Sequence, residues 1–326
     1  MLIHKLGKNY IPIKQVNLIN VFSNITLNKN TLGIFNNYGI TVNFFNYYGN
    51  YIGSFVPKNP RYGKVILEQV LHYKDDIKRY EIAKEMFLSN AHNTLSVLKY
   101  YNKKYNNLIN NIDNIEKLIN QFNIMDENKI DKLLISEARI KQEYYNSFSK
   151  IIRNNNFNFS VRSKNPPKDE VNAMLSFGYA ILYSIIENAI YRSSLDISFP
   201  FIHSNIRRKG GLQFDIADIF KPVLIDRLVF RLINKRQINR DHFTEHKCGV
   251  YLNKIGSQIL IEEIESLMRS TISVYGSKNK LSYNQLISKE IHKLTNHFKN
   301  KENYKGFRMG WWDVYNCCIW CRRWKM

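Results

Sequence analysis

The sequence predicts an α+β protein, a small N-terminal β-sandwich followed by a larger all-α domain, on three observations. Residues 1–59 are short runs rich in Ile, Val, Phe, Tyr and Thr, broken by Asn and Gly. Beyond Val65 the apolar positions recur at spacings of 3 and 4. Between the two, Val56–Lys64 reads VPKNPRYGK, where two prolines and a glycine mark the change of period. The expected division is 1–62 for the sandwich, 63–78 for a linker and first helix, 79–310 for the helical domain, and 311–326 for a Cys- and Trp-rich tail.

In order, YIPIKQV, LINVFSN, TLGIFNNYG, ITVNFFNYYG and NYIGSFV read as strands, with Gly39, Gly49 and Gly53 at turns. Nothing there offers a nucleophile or a phosphate loop. Phe44, Phe45, Tyr47 and Tyr48 have the chemistry to stack on bases, but core or interface is the reading they favour. Leu67–Tyr101 is amphipathic helix, with Lys and Arg on the outer faces. Asn106–Asp126 reads as a helix pair or a loop and helix. From Lys129 to Arg153 one helix is expected, with Ile135, Ile140, Tyr144 and Phe148 marking its buried side. Pro166 and Pro167 close a basic loop and launch a strongly apolar helix from Glu170 to about Ser194, with Asp169 and Glu170 suited to its first turn. Glu187, within that helix, is expected to be structural. Phe220–Gln237 continues as amphipathic helix, and Tyr251–Thr271 and Leu281–Lys299 supply two more.

With 326 residues and 44% hydrophobic composition, the chain is long enough for one or two cores. Its 48 Lys and Arg against 27 Asp and Glu give a formal charge of +21, which implies a polyanionic partner, nucleic acid before an anionic membrane surface. No apolar run approaches the roughly 18 residues of a membrane span, and no signal peptide is evident, so no membrane partner and a cytoplasmic location are expected. Cysteines 248, 317, 318 and 321 form no disulfide framework. Cys318 and Cys321 make a CxxC, but only scattered histidines such as His246 or His297 are available to complete a zinc site.

The chemistry concentrates between Asn165 and Phe220. Asp215 and Asp218 are three apart, so on a helix both carboxylates leave one face. His203 lies upstream across a basic turn of Arg207, Arg208, Lys209, Gly210 and Gly211. Carboxylates with one imidazole suit a hard divalent cation, magnesium or manganese. An Asp at a helix start is more often a cap or a partner for the helix dipole. The residues alone leave both readings open.

The surrounding words resemble a known family. PPKDEVNAMLSFGYAILY, then FIH, then FDIADIFKPVLIDRLVF are similar to the CRISPR-associated integrase, the metal-dependent enzyme of the spacer-acquisition module. GIFNNYGITVNFFNYYGNYIGSFVPKN looks like its β-domain, LLISEARIKQEYYNSF like its glutamate helix, and YKGFRMGWW like its usual C-terminal end, so the likeness covers nearly the whole chain. It implies that Glu137, His203 and Asp218 are catalytic metal ligands for Mg2+ or Mn2+, with Asp215 a further ligand or a supporting partner. Arg162, Asn172, Arg207 and Arg208 become candidate DNA contacts, with Asn172 alternatively a group that supports the metal ligands. It implies insertion of short foreign DNA into a CRISPR array by attack of a 3′-hydroxyl on a phosphodiester. The implied partners are protospacer and repeat duplex DNA, a second copy of the chain forming a homodimer, and the small second adaptation protein in a heterohexamer. Departures from the family pattern are Ala138 for the usual glycine, GGLQFD in the turn, and Lys221 where arginine is frequent. The competing readings are an inactive basic DNA-binding scaffold and a repair nuclease acting on branched DNA.

Overall fold

The structure, a computed structural model, describes residues 12–46, 49, 51–58, 63–124, 129–203, 210–246, 248–273 and 280–310. It is α+β in the expected order, a small sheet first and helices after.

The N-terminal unit comprises β1 (Leu18–Val21), α1 (Lys29–Asn37), β2 (Thr41–Phe45) and β3 (Tyr51–Phe55). Its strands form one three-stranded sheet in the order β1-β2-β3. β1 pairs parallel with β2, Leu18 opposite Thr41, and β2 pairs antiparallel with β3, Val42 opposite Phe55. Thr31–Gly39, expected to be a strand, is mostly α1. A parallel pair needs a crossover, and Asn28 starts the helix by accepting from the Thr31 amide at 2.9 Å. Ile13–Gln15, in another expected strand, is a single 3-10 turn. Phe22 joins the sheet to the helices, stacking on Phe45 at 4.6 Å and Phe177 at 5.8 Å. Phe45 is thus core, as expected; Tyr47 and Tyr48 lie outside the described residues.

The helical part runs α2 (Gly63–Lys74), α3 (Asp76–Tyr105), α4 (Ile109–Ile124), α5 (Ile130–Asn146), α6 (Phe148–Ile151) and α7 (Glu170–Tyr191). It continues with α8 (Leu212–Lys221), a π turn (Pro222–Asp226), α9 (Arg227–Asn234), α10 (Lys254–Arg269) and α11 (Tyr283–Phe298). Two hairpins escaped the sequence reading, β4 (Phe243–His246) with β5 (Gly249–Leu252) and the two-residue β6 (Thr271–Ile272) with β7 (Leu281–Ser282). The long α3 is started by Asp75, which accepts from the Ile77 and Lys78 amides, and ended by Asn106 in the left-handed region at φ 53°. α7 is long and apolar enough to cross a membrane by length and composition, but 72% of its apolar window is buried as the core helix of this domain.

Pro222 interrupts the expected helix after Phe220. It has no N–H to donate back into α8, and the backbone takes up the break as the π turn. That turn packs against α7 at Gly178, where a Cβ would meet Ile225 Cγ2 at 2.7 Å. Asp226, at the end of the turn, is buried. It accepts from Tyr179 Oη of α7 at 2.6 Å and from Tyr144 Oη of α5 at 3.0 Å, so one carboxylate ties three elements. On α5 the buried face is Leu133, Ser136, Glu137, Ile140 and Tyr144, while Ile135, expected inside, is exposed.

Burial pushes the Asp226 carboxyl up to about 7, against the lowering effect of its two tyrosine hydrogen bonds. The native state therefore holds this proton more tightly than the unfolded chain, whose aspartates titrate near ~4. Its contribution is complete below that value and is lost as pH rises through about 7. Asp226→Asn should flatten that slope, so urea midpoints of the variant gain on wild type between about pH 5 and pH 8. Parallel curves would contradict the assignment.

Candidate functional site

Three elements carry the site. α5 brings Glu137, α8 brings Asp215 and Asp218, and the extended segment before α8 brings His203. Glu137 and Asp218 are 8% and 2% exposed, unusual for carboxylates and tolerable only with partners. Their partner is shared. The Lys141 ammonium lies 2.9 Å from Glu137 Oε1 and 2.9 Å from Asp218 Oδ2. The other Asp218 oxygen pairs with Lys221. Lys221 is itself fixed over the rings of Tyr179 at 4.9 Å and Tyr183 at 4.8 Å.

Electrostatics follow the geometry. Burial works against ionising Asp218, but Lys141, Lys221 and His203 outweigh it and hold its carboxyl well below the usual range. Burial likewise disfavours the Lys141 charge, and Asp218 and Glu137 more than restore it, so its pKa lies above the ordinary lysine value.

Asp215 is buried and has a different task. Its Oδ2 accepts from the amides of Phe201 at 2.6 Å and Ile202 at 3.1 Å, and its Oδ1 from the His203 amide at 3.1 Å. His203 Nδ1 sits 2.6 Å from the same Oδ1, so the ring is oriented with Nε2 pointing elsewhere. Burial would lower the His203 pKa; Asp215, then Asp218 and Glu137, raise it, which places the imidazole within electrostatic reach of both other carboxylates.

The DNA-contact candidates fare unevenly. Asn172 is fully buried, and its amide is used internally, a correction to its reading as a DNA contact. It accepts from Arg162 at 2.8 Å and from the Ser163 amide at 3.0 Å, and donates to Val161 and Asp169. Arg162 is clamped by Asn172 and by Ser176 Oγ at 3.0 Å, and braces the loop before α7. Arg207 and Arg208 lie outside the described residues. Glu187 accepts from Tyr51 Oη at 3.0 Å, tying β3 to α7, a structural task. Lys141 and Lys164 were missed. For Lys164, burial and then Lys221, Lys141 and Arg162 lower the pKa, so it stands in a cluster of like charge. The one signal for Lys141 was its position four residues after Glu137, the favourable orientation for a helical ion pair.

Among the described residues no three His, Cys, Asp or Glu side chains close on one point tightly enough to hold a metal ion. The donor chemistry nevertheless fits one. Glu137 and Asp218 already converge on a single cation, the Lys141 ammonium, and a carboxylate-backed imidazole stands beside them.

With this geometry in view, comparison with known proteins is direct. Residues 2–266 match the sequence model of the family described as CRISPR associated protein Cas1. A CRISPR-associated endonuclease Cas1 from Thermodesulfovibrio yellowstonii is 38% identical over 306 residues, 93% of this chain and 92% of the relative. A solved Cas1 structure from Thermotoga maritima superposes with a TM-score of 0.79 at 31% identity, covering 93% of this chain and 92% of that one. A casposase bound to integration product shares the fold with a TM-score of 0.81 at 17% identity, covering 99% of this chain and 93% of that one.

Asp215→Asn keeps shape but turns one acceptor oxygen into a donor facing amides. It should lower unfolding free energy by roughly 1.5–3 kcal/mol, read by urea denaturation with an unchanged slope. A loss within about 0.5 kcal/mol would mean the amides do not depend on the carboxylate.

Proposed function

The chain belongs to the CRISPR-associated Cas1 family, and from that membership we propose that it is a metal-dependent DNA endonuclease and integrase of CRISPR adaptation. The observation that carries the reading is the meeting of Glu137 and Asp218, from separate helices, on one cation beside the His203–Asp215 pair. Glu137 and Asp218 supply the hard oxygen donors and His203 its Nε2, while Asp215 holds the imidazole and is not itself a ligand. A magnesium or manganese ion bound there supplies charge stabilisation to the phosphodiester under attack and to the leaving oxygen.

The 3′-hydroxyl of the incoming strand attacks phosphorus, a new P–O bond replaces the old one in line, and the leaving oxygen takes up a proton. No protein nucleophile is needed. Asp218 is kept ionised by Lys141, Lys221 and His203 against the cost of its burial, and Glu137 shares Lys141 with it. Lys221 is locked between two tyrosines and keeps Asp218 aimed. The Lys164 charge is disfavoured by burial and then by the cations around it, and a backbone phosphate at the site relieves that repulsion.

The partners follow from charge and surface. An excess of +21 suits the duplexes of a protospacer and a repeat. The N-terminal unit exposes Ile25, Ile34, Tyr38, Tyr51 and Ile52, the last 68% exposed, a surface suited to homodimer contact. Two such dimers joined by the small second adaptation protein make the heterohexamer, in the cytoplasm.

The test uses a fluorescent branched DNA that mimics a half-integrated fragment, with Mn2+ or Mg2+. Wild type should rejoin the strand, EDTA should abolish this, and Glu137→Ala and His203→Ala should each lose about 100-fold or more in rate. Binding without joining or cutting would hand the protein to the inactive-scaffold reading. Cutting without joining would make it a repair nuclease.

A further inference from the structure

Glu137 and Asp218 bring together a position for one cation, and in the structure the chain fills it with its own side chain. We propose that the Lys141 ammonium is a built-in competitor for the metal. It occupies the shared position in the metal-free protein and must leave before a divalent ion can bind. The inference rests on the reading of Glu137 and Asp218 as metal donors.

The two lysines on Asp218 are differently held. Lys221 has 17% of its side chain exposed and lies over the Tyr179 and Tyr183 rings, so it stays. Lys141 has 34% of its side chain exposed, and the two carboxylates are what hold it, Glu137 Oε1 and Asp218 Oδ2 both at 2.9 Å. Its four-carbon stem lets the ammonium swing into water without moving α5. The exchange also answers a physical need. Without metal, two buried carboxylates from α5 and α8 would repel each other and hold the helices apart, since an unpaired buried charge is costly. Lys141 keeps the pair assembled and neutralised until a doubly charged ion replaces it. Because the two cations exclude one another, the device lowers metal affinity by the free energy of breaking the Lys141 pairs.

Two measurements test this. The first uses wild-type protein alone. Acetylation of Lys141 by an amine-reactive reagent, followed by mass spectrometry, should be slow without metal and several-fold faster with saturating Mg2+. Lys221 should not respond. An unchanged or slower Lys141 rate with Mg2+ would overturn the proposal.

The second measures Mn2+ affinity by the electron paramagnetic resonance signal of the free ion, at one pH. Lys141→Met should bind Mn2+ roughly tenfold more tightly than wild type or better. Lys141→Arg, which keeps a cation on the same carboxylates, should stay close to wild type. Glu137→Gln should bind more weakly. If Glu137→Gln weakens binding and Lys141→Met does not strengthen it, competition is wrong and the metal site stands. If Glu137→Gln leaves binding intact, or nothing binds Mn2+, the metal reading falls and takes this proposal with it.

Discussion

Two buried carboxylates on different helices, close enough to share one cation, are the constraint on which the rest of this structure depends. Glu137 and Asp218 would each be expensive inside a protein and worse together. Much of the local sequence is spent on keeping them there. Lys141 and Lys221 supply opposite charge, Tyr179 and Tyr183 hold Lys221, and Asp226 links α5, α7 and the π turn. Gly178 lets that turn approach α7 closely enough for the link to form. The core sets the distance between the helices, and that distance lets the two carboxylates share one cation.

The imidazole is positioned by a separate device. Asp215 collects three consecutive amides and the His203 ring on one carboxylate, so a short segment without regular structure is fixed as firmly as a helix end. The same atoms hold the backbone and orient the ring. A carboxylate that stabilises the backbone before α8 also engages His203 Nδ1, so Nε2 is the ring nitrogen turned away from Asp215.

How much of this is legible in the sequence varies with the cause. The order of sheet and helices is set by local period, and the break at VPKNPRYGK marks the change. The spacing of Asp215 and Asp218 puts both on α8, but separating their tasks required the fold, because amide partners from Phe201 to His203 are not visible in a pattern. Thr31–Asn37 reads as strand from its composition and is helix because β1 and β2 run parallel and the chain must cross over. Asn172 and Arg162 look available for DNA in the sequence, yet Arg162 donates to Asn172 Oδ1 inside the fold. Lone Glu137 looks solvated by any local rule. Only the neighbouring helix makes it buried and gives Lys141 a second carboxylate.

The shared position between Glu137 and Asp218 belongs either to a divalent ion or to Lys141 alone. Crystals grown with Mn2+ and measured at the manganese absorption edge would decide it. The expected result is one anomalous peak between the Glu137 and Asp218 carboxylates, facing His203 Nε2, with the Lys141 ammonium displaced and Asp215 still on the His203 ring. Manganese bound elsewhere, with Lys141 still bridging the two carboxylates, would contradict it.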